Sequence, residues 1–233
     1  MPKEIGKLTK LNQLDLWNNK IQEIPPEIGN LTHLRKLCLG GNQLQELPPE
    51  IGNLINLREL FLEKNQLQEL PPEIGNLINL RELYLDNNKF TTLPLILEKM
   101  DNLVDLSFGS DQFKELPPSI GKLKNLRKLW INGIQIKKIP CEISNLSNLK
   151  ELCIINTQIS EFPPQIWEMF NLRKLVIRQN QFRELDARIE NLHNLTDLFL
   201  DESQLHYLPG NINKLTKLKV LSIGKNQFTE VPD

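Results

Sequence analysis

Three histidines and three cysteines are the side chains best suited to metal binding or nucleophilic catalysis in this chain. A 23-residue repeat runs through the sequence, and His33, His193 and His206 fall at three different positions of it. Side chains at unrelated repeat positions cannot converge into a zinc site or a catalytic triad. The sequence also lacks a CxxC pair, a glycine-rich phosphate loop and a GxSxG element. We therefore expect no catalytic residue, no metal, no cofactor and no enzymatic activity.

The cysteines are spaced too widely to pair. Cys38 and Cys153 occupy the same repeat position, five repeats apart. With strands about 4.8 Å apart, roughly 24 Å separates them, whereas a disulfide needs Cα atoms within about 7 Å. Cys141 lies in a proline-containing turn, away from that position. We expect Cys38 and Cys153 to be accessible thiols. Unpaired thiols favour a reducing compartment, although secreted repeat proteins can also lack disulfides.

Aromatic and aliphatic side chains recur at one repeat position that should face water. Position 5, counted from the first leucine of each repeat, holds Asp15, Cys38, Phe61, Tyr84, Ser107, Trp130, Cys153, Val176, Phe199 and Ser222. Seven of these ten side chains are apolar or aromatic. Strand propensity alone can explain single residues of this kind. A contiguous apolar stripe is more typical of a binding surface, which is the interpretation that we favour.

The predicted binding surface combines position 5 with its neighbours at position 7. Its members are Trp17, Phe61, Glu63, Tyr84, Asp86, Trp130, Ile155, Val176, Arg178 and Phe199. Phe61, Tyr84 and Trp130 are the expected anchors, and the small Ser107 should leave a shallow gap between the last two. Acidic side chains surround the first rings and basic ones the later rings, so charge should orient a partner. A plain solvated face is the alternative.

A second candidate contact lies in the seventh repeat. Trp167 stands at the position that holds Gly29, Gly52, Gly75 and Gly121 in other repeats, and Phe170 follows it closely. Two explanations fit this apolar segment. Both rings are exposed and form a second contact surface, or they serve local packing.

The repeat itself must position these side chains. Ten repeats begin at residues 11, 34, 57, 80, 103, 126, 149, 172, 195 and 218, the last one truncated, and residues 1–10 form a half repeat. The spacing contains no insertion or deletion. We expect a single solenoid domain over residues 1–233, in which each repeat contacts only its neighbours.

Each repeat predicts one short strand and one short helical segment. Positions 4 and 6 are apolar between polar neighbours, which is the pattern of a half-buried strand. Proline near position 15, often followed by glutamate, favours the start of a helical turn. Positions 1, 4, 6, 11, 14, 18 and 21 form the predicted core. Asn at position 9 predicts hydrogen bonds to the turning backbone, and Ile134, which cannot make them, predicts a looser turn.

The apolar positions and the Asn together form a known sequence motif. Leu57, Leu60, Leu62 and Asn65 give LxxLxLxxN, and LPPEIGNL follows over residues 70–77. This pattern resembles the proline-containing subclass of the leucine-rich repeat family, found in multi-repeat proteins of pathogenic spirochaetes and in Ras-associated scaffold proteins. The resemblance implies an α/β fold: a right-handed solenoid or horseshoe, with a parallel β-sheet on the concave face and short 3₁₀ or α segments on the convex face.

The resemblance also implies a function. We expect a non-enzymatic module that binds a protein ligand on its concave face, in a bacterial surface or secreted protein that contacts host molecules. Two alternatives remain open. One is an intracellular scaffold similar to the Ras-associated proteins, and the other is the substrate-recognition domain of a larger multidomain enzyme.

Charge, hydropathy and the termini complete the expectations. The net charge of −1 gives no basic field for nucleic acid, and no apolar run approaches the roughly 20 residues of a membrane span. Without a signal peptide the expected location is the cytoplasm, or the cell surface if an N-terminal segment was removed. Pro2 and Pro232 share one repeat position and neither end shows a polar cap. We expect a fragment of a longer protein, and self-association through an uncapped end.

Overall fold

A computed structural model of the chain describes residues 1–230. Pro232, which shares a repeat position with Pro2, lies outside these residues. The chain divides into two compact units, Met1–Gln112 and Phe113–Asp233. We call them the N-terminal unit and the C-terminal unit. The expectation of a single domain over residues 1–233 stays a prediction.

The N-terminal unit alternates short strands with 3₁₀ segments. In order, they are η1 Lys3–Lys7, β1 Gln13–Asp15, η2 Pro26–Asn30, β2 Lys36–Cys38, η3 Pro49–Asn53, β3 Glu59–Phe61, η4 Pro72–Asn76, β4 Glu82–Tyr84, η5 Leu95–Lys99 and β5 Asp105–Phe108. The five strands are parallel and in register, one repeat to the next. Side chains at the same repeat position therefore form rows across the unit.

The C-terminal unit follows the same order. It contains η6 Pro118–Lys122, β6 Lys128–Asn132, η7 Cys141–Asn145, β7 Glu151–Ile155, η8 Pro164–Glu168, β8 Lys174–Arg178, η9 Ala187–Asn191, β9 Asp197–Phe199, η10 Gly210–Lys214 and β10 Val220–Ser222. Its five strands are also parallel and in register. Val220 and Leu221 of β10 are 39% and 42% exposed. Self-association through this strand stays a prediction.

The 3₁₀ segments begin and end as the repeat chemistry predicts. Pro48 has φ −67° and ψ 143°, and Pro49 opens η3 directly after it. Proline suits this entry because its φ is fixed and its missing N–H has no partner to lose there. The N–H of Leu54 then closes η3 by donating to the carbonyl of Ile51. Ile51 and Leu54 are fully buried, so the segment is fastened to the core at its end.

The Asn column at position 9 forms a hydrogen-bonded ladder. The side-chain amide of Asn65 donates to the carbonyls of Leu39 and Leu62 at 2.9 and 3.0 Å, and its oxygen accepts from the N–H of Leu44. One side chain therefore ties two successive repeats together. Asn65 is only 8% exposed, and a buried amide with all these partners stabilises the turn. The predicted role of the column is confirmed.

The turn at Ile134 lacks the amide bonds of the Asn column. Ile134 is fully buried, and the following Gln135 donates its backbone N–H to the carbonyl of Phe113 at 3.1 Å, whereas Gln66 makes the equivalent bond to Leu44 at 2.8 Å. The looser turn at Ile134 stays a prediction. Parallel strands with short 3₁₀ connections, predicted from the repeat, are confirmed in each unit.

Candidate protein-binding site

Each unit presents an outer sheet face, made of the strand side chains at positions 3, 5 and 7. In the N-terminal unit we call it the N-terminal face, which includes Glu59, Phe61, Glu63, Glu82, Tyr84, Asp86, Asp105 and Ser107. In the C-terminal unit we call it the C-terminal face, which includes Trp130, Cys153, Ile155, Lys174, Val176, Arg178, Phe199 and Asp201. Register pairing places the position-5 side chains of each unit in one row.

An aromatic pair lies at the centre of the N-terminal face. Phe61 and Tyr84 are register partners on β3 and β4, with ring centroids 4.8 Å apart in an edge-to-face arrangement. Both rings are half-buried, so each keeps a solvent-facing edge. The Tyr84 hydroxyl donates to Asp105 at 3.3 Å. Burial, then the charge of Asp105, raises the pKa of Tyr84, which keeps the hydroxyl protonated.

Two carboxylates at position 7 flank this pair. Asp86 accepts a hydrogen bond from the Ser107 hydroxyl through Oδ2, but its Oδ1 is buried and has no hydrogen-bond partner in the described chain. Burial raises the pKa of Asp86 to about 6, and the neighbouring Glu63 adds to the shift. Oε2 of Glu63 is likewise buried without a hydrogen bond, and burial raises its pKa. Both carboxylates therefore ionise at a cost.

Gly40 makes room for one of these carboxylates. A Cβ at Gly40 would lie 2.8 Å from the carboxyl carbon of Glu63, so a side chain there would displace Glu63. The lack of a side chain at Gly40, which is position 7 of the second repeat, therefore leaves room for the Glu63 carboxyl group over that repeat.

Position 3 adds a row of like charges. Glu59, Glu82 and Asp105 are register partners on three adjacent strands, and like charges that face each other across strands oppose folding. Lys36 bonds Glu59 at 2.8 Å and lies 4.7 Å from the Phe61 ring centroid. The bond to Glu59 raises the pKa of Lys36. This cation sits at one end of the row.

Trp17 lies at the outer end of the same unit. Its ring is 43% exposed, and the ammonium of Lys64 lies 6.0 Å from its centroid. The structure therefore brings Phe61, Tyr84, Glu63 and Asp86 together, with Trp17 two strands from Phe61.

The C-terminal face has a different row at position 5. The row runs from Trp130 through Cys153 and Val176 to Phe199 and ends at Ser222. Lys174 holds its ammonium 5.7 Å from the Trp130 ring and 5.8 Å from the Phe199 ring. Val176 is only 5% exposed and Cys153 is fully buried. The expectation that these two side chains face water is wrong, because the larger neighbours cover them.

Charge on the C-terminal face is compensated within the chain. Arg178 donates to Asp201 at 2.8 Å and lies 4.7 Å from the Phe199 ring centroid. Asp201 also accepts from the Ser222 hydroxyl at 2.5 Å and the Gly224 N–H at 3.0 Å. Partial burial opposes ionisation of Asp201, but these hydrogen bonds outweigh it and lower its pKa.

The second candidate contact is corrected in part. Trp167 is only 2% exposed and meets Phe162 edge-to-face at 5.8 Å, while Phe162 stacks on Phe182. Trp167 therefore serves local packing, which is one of the two explanations that the sequence left open, and it is not part of an exposed contact surface. Phe170 is 50% exposed and stacks against the His193 ring at 6.2 Å.

Sequence reasoning left several contributors out of the candidate site. Ser107 and Asp201 bond members of the predicted surface directly, and Lys36 lies over the ring of one of them, Phe61. Each lies at position 3, 5 or 7 of its repeat, so the repeat register alone could have found them. Their partners could not be read from the register, since a side chain reaches either neighbouring strand.

Two family models match the chain. One, described as a leucine-rich repeat region, matches residues 26–132, and another, described as leucine rich repeat, matches residues 10–31. A leucine-rich repeat protein of Leptospira interrogans is 34% identical over 100% of this chain, with a TM-score of 0.88. The chain belongs to the leucine-rich repeat family. Its predicted resemblance to spirochaete proteins of this family is confirmed.

Other leucine-rich repeat structures are similar at lower identity. The chain spans 65% of the Leptospira protein. Internalin C2 of Listeria monocytogenes is 27% identical, with a TM-score of 0.63, over 76% of this chain and 74% of that one. The plant peptide hormone receptor RGFR1, in complex with RGF2, is 25% identical, with a TM-score of 0.54, over 98% of this chain and 49% of that one. No curated protein is significantly similar in sequence.

The family and its fold suggest a protein–protein interaction module, and leucine-rich repeat proteins of this kind are typically binding modules rather than enzymes. Among residues 1–230, the helical segments are too short and too polar to cross a bilayer. In the same residues, no three His, Cys, Asp or Glu side chains are grouped so that they could hold a metal ion.

Proposed function

We propose that this chain binds a protein partner through its outer sheet faces, with the N-terminal face as the principal contact. The observation that carries the proposal is the Phe61–Tyr84 pair, two rings at 4.8 Å that keep solvent-facing edges on a sheet surface. Aromatic side chains supply large contact areas at low entropic cost, and interface energy concentrates in a few of them.

The C-terminal face is the secondary part of the proposal. Trp130, Ile155 and Phe199 are half-exposed there, and Lys174 and Arg178 already lie over the rings. A partner that used these rings would have to displace or stack on those cations. Among the cation contacts described for residues 1–230, Lys36 over Phe61 is the one at the N-terminal pair, so this pair is the more available anchor.

A bacterial surface or secreted protein that meets host molecules is the finer part of the proposal. The proline-containing repeat and the similarity to the Leptospira interrogans protein support it. Protease treatment of intact cells of the source bacterium tests this part. Loss of the protein from intact cells is expected, whereas protection until lysis would favour the intracellular scaffold.

The binding proposal is tested with ring-removing variants. A partner is first isolated with the wild-type chain, and its affinity is then measured for Phe61→Ser/Tyr84→Ser and Trp130→Ser/Phe199→Ser. Phe170→Ser is the matched control, because Phe170 is an exposed ring outside both faces. Circular dichroism confirms that each variant is folded.

The N-terminal pair should show the larger effect. Truncating an anchor costs about 2 kcal/mol, so each ring lost should weaken binding about 30-fold. The proposal is wrong if both face variants bind with wild-type affinity. A loss confined to Phe170→Ser would move the contact to that segment instead.

A further inference from the structure

The N-terminal face carries an excess of negative charge around its aromatic pair. Five carboxylates surround the two rings: Glu59, Glu63, Glu82, Asp86 and Asp105. Lys36 bonds Glu59 at 2.8 Å and lies over Phe61 rather than Tyr84. The Tyr84 half of the face therefore has acids on both sides. Burial raises the pKa of Glu63 more than the charge of the neighbouring Lys64 lowers it.

Two of these acids lack the partners that burial demands. Oδ1 of Asp86 and Oε2 of Glu63 are buried without a hydrogen bond in the described chain. Removing one partner from a buried charged group leaves a desolvation cost that only a counter-charge or a donor can offset. The equivalent position on the C-terminal face shows the compensated arrangement, since Asp201 accepts from Arg178, Ser222 and Gly224.

The aromatic rings indicate which kind of cationic side chain would fit this face. A cation over an aromatic face gains electrostatic attraction from the ring, and Lys36 already uses Phe61 in this way at 4.7 Å. A guanidinium combines stacking on a ring with a planar fork of donors for carboxylates. On the C-terminal face, Arg178 makes both contacts at once, lying 4.7 Å from the Phe199 ring and bonding Asp201 at 2.8 Å.

We propose that the N-terminal face receives an arginine side chain from a basic segment of the partner protein, stacked on Tyr84 and lying beside the carboxylates of Glu63 and Asp86. This assignment rests on the proposed function and adds the chemistry of the partner to it. The partner's arginine supplies from outside the positive charge that Arg178 supplies within the C-terminal unit.

The test uses a defined peptide with the full chain. The probe is a fluorescein-labelled Gly-Arg-Gly-Arg-Gly peptide, and its counterpart carries citrulline in place of arginine, which keeps the shape and removes the charge. Fluorescence anisotropy at neutral pH and physiological ionic strength measures both affinities. The face variant is Glu63→Gln/Asp86→Asn.

A charge-matched control separates site binding from general attraction. Glu46→Gln/Glu69→Gln removes the same charge from two exposed carboxylates of the same unit. Those carboxylates line a shallow groove with Pro48 and Pro71, outside the outer sheet face. If the double face variant does not fold, Glu63→Arg alone replaces it, because an arginine there should occupy the site itself.

The expected result is selective. Arginine peptide should bind the wild-type chain at least about tenfold more tightly than citrulline peptide, and the face variant should lose that preference, a change of about 1.4 kcal/mol. The groove control should stay within about twofold of the wild type, since exposed charges act weakly through salt.

Several outcomes overturn the assignment. They are an arginine peptide that does not bind, an equal loss in both charge variants, and calcium ions that bind the face where the peptide does not. If the isolated partner still needs Phe61 and Tyr84 while arginine gives no preference, the proposed function survives and this inference alone fails. If neither the ring-removing variants nor the charge variants change the affinity for the partner, the proposed function and this inference are both wrong.

Discussion

The outer faces of the two units are built from the same repeat positions but differ in whether the charged side chains at position 7 are paired. At position 7 the N-terminal face has two acids on neighbouring strands, Glu63 and Asp86, with buried oxygens that lack hydrogen bonds. The C-terminal face has Arg178 and Asp201 at the equivalent neighbouring strands, bonded at 2.8 Å. The position-7 pair of the C-terminal face is neutralised within the chain, whereas the two acids of the N-terminal face carry negative charge that a partner can compensate.

The difference shows where a repeat protein can place function without changing its fold. The strands of both units are in register, and inward leucines away from the terminal strands, such as Leu60 and Leu175, are fully buried. Changes at positions 3, 5 and 7 leave that core untouched, because strand side chains alternate between the two faces. Binding specificity can therefore vary between units while packing stays constant.

The largest expected effect tests this shared core. Leu60→Ala under the N-terminal face and Leu175→Ala under the C-terminal face both remove fully buried side chains. Each should cost about 2–5 kcal/mol of unfolding free energy, through lost transfer energy and a cavity. Chemical denaturation, followed by circular dichroism, measures both. If one variant were nearly neutral, the two cores would differ and the comparison would not rest on the faces alone.

The next effect concerns Asp86, whose pKa is about 6 in the folded chain. An unfolded aspartate titrates near 3.9, so the folded state favours the protonated form. The stabilising contribution is complete below the unfolded value and is lost as pH rises through about 6. Asp86→Asn should therefore raise the unfolding free energy at pH 7 by about 1–3 kcal/mol relative to the wild type.

The pH dependence gives the check on that prediction. The gap between Asp86→Asn and the wild type should shrink as pH falls from about 7 to about 3, where the wild-type carboxyl is mostly protonated in both the folded and the unfolded state. Denaturation curves of both proteins at several pH values measure it. If the difference in unfolding free energy does not change with pH, ionisation of Asp86 does not destabilise the folded chain.

Asp201 should respond in the opposite direction. Its pKa is lowered in the folded chain by hydrogen bonds that outweigh partial burial, so its charge stabilises the fold above the ordinary aspartate pKa. Asp201→Asn should lower the unfolding free energy at pH 7 by about 1–2 kcal/mol, because bonds to a charged acceptor are lost. A stabilising Asp201→Asn would remove the contrast between the faces.

The smallest effect compares cysteines at the same repeat position. Cys38 on the N-terminal unit is half-buried, Cys153 on the C-terminal face is fully buried, and Cys141 is exposed in η7. Burial, then the charge of Asp15, raises the pKa of Cys38. Labelling of the native protein with a thiol reagent should be fastest at Cys141, slower at Cys38 and absent at Cys153 until unfolding. Rapid labelling of Cys153 would contradict the packed row between Trp130 and Phe199.

The sequence predicted the repeat architecture well because one signal was repeated ten times. Core positions, strand register and the proline entry to each 3₁₀ segment all follow from periodicity, which depends on local chemistry. The Asn ladder was predicted from Asn65 and its equivalents. Ser203 stands at position 9 in place of Asn, and its hydroxyl still donates to the carbonyl of Ile177 at 3.0 Å, as the Asn180 amide does to Ile154 one repeat earlier.

Exposure and pairing could not be predicted in the same way. Position 5 was expected to face water throughout, but Val176 and Cys153 are buried because large side chains flank them. Trp167 was left open between contact and packing, and its contact with Phe162 decides for packing. Such outcomes depend on which neighbour a long side chain leans toward, which a repeat position does not specify.

The contrast between the two faces depends most directly on the ionisation of the Asp86 carboxylate. Its titration can be followed by NMR through the side-chain carboxyl carbon, in the wild type and in Glu63→Arg, which copies the Arg178–Asp201 arrangement onto the N-terminal face. The wild-type carboxyl should titrate at about 6, and Glu63→Arg should move it below the ordinary aspartate value of about 3.9. A wild-type carboxyl that already titrates near that ordinary value would show that the N-terminal face holds no uncompensated charge for a partner to meet.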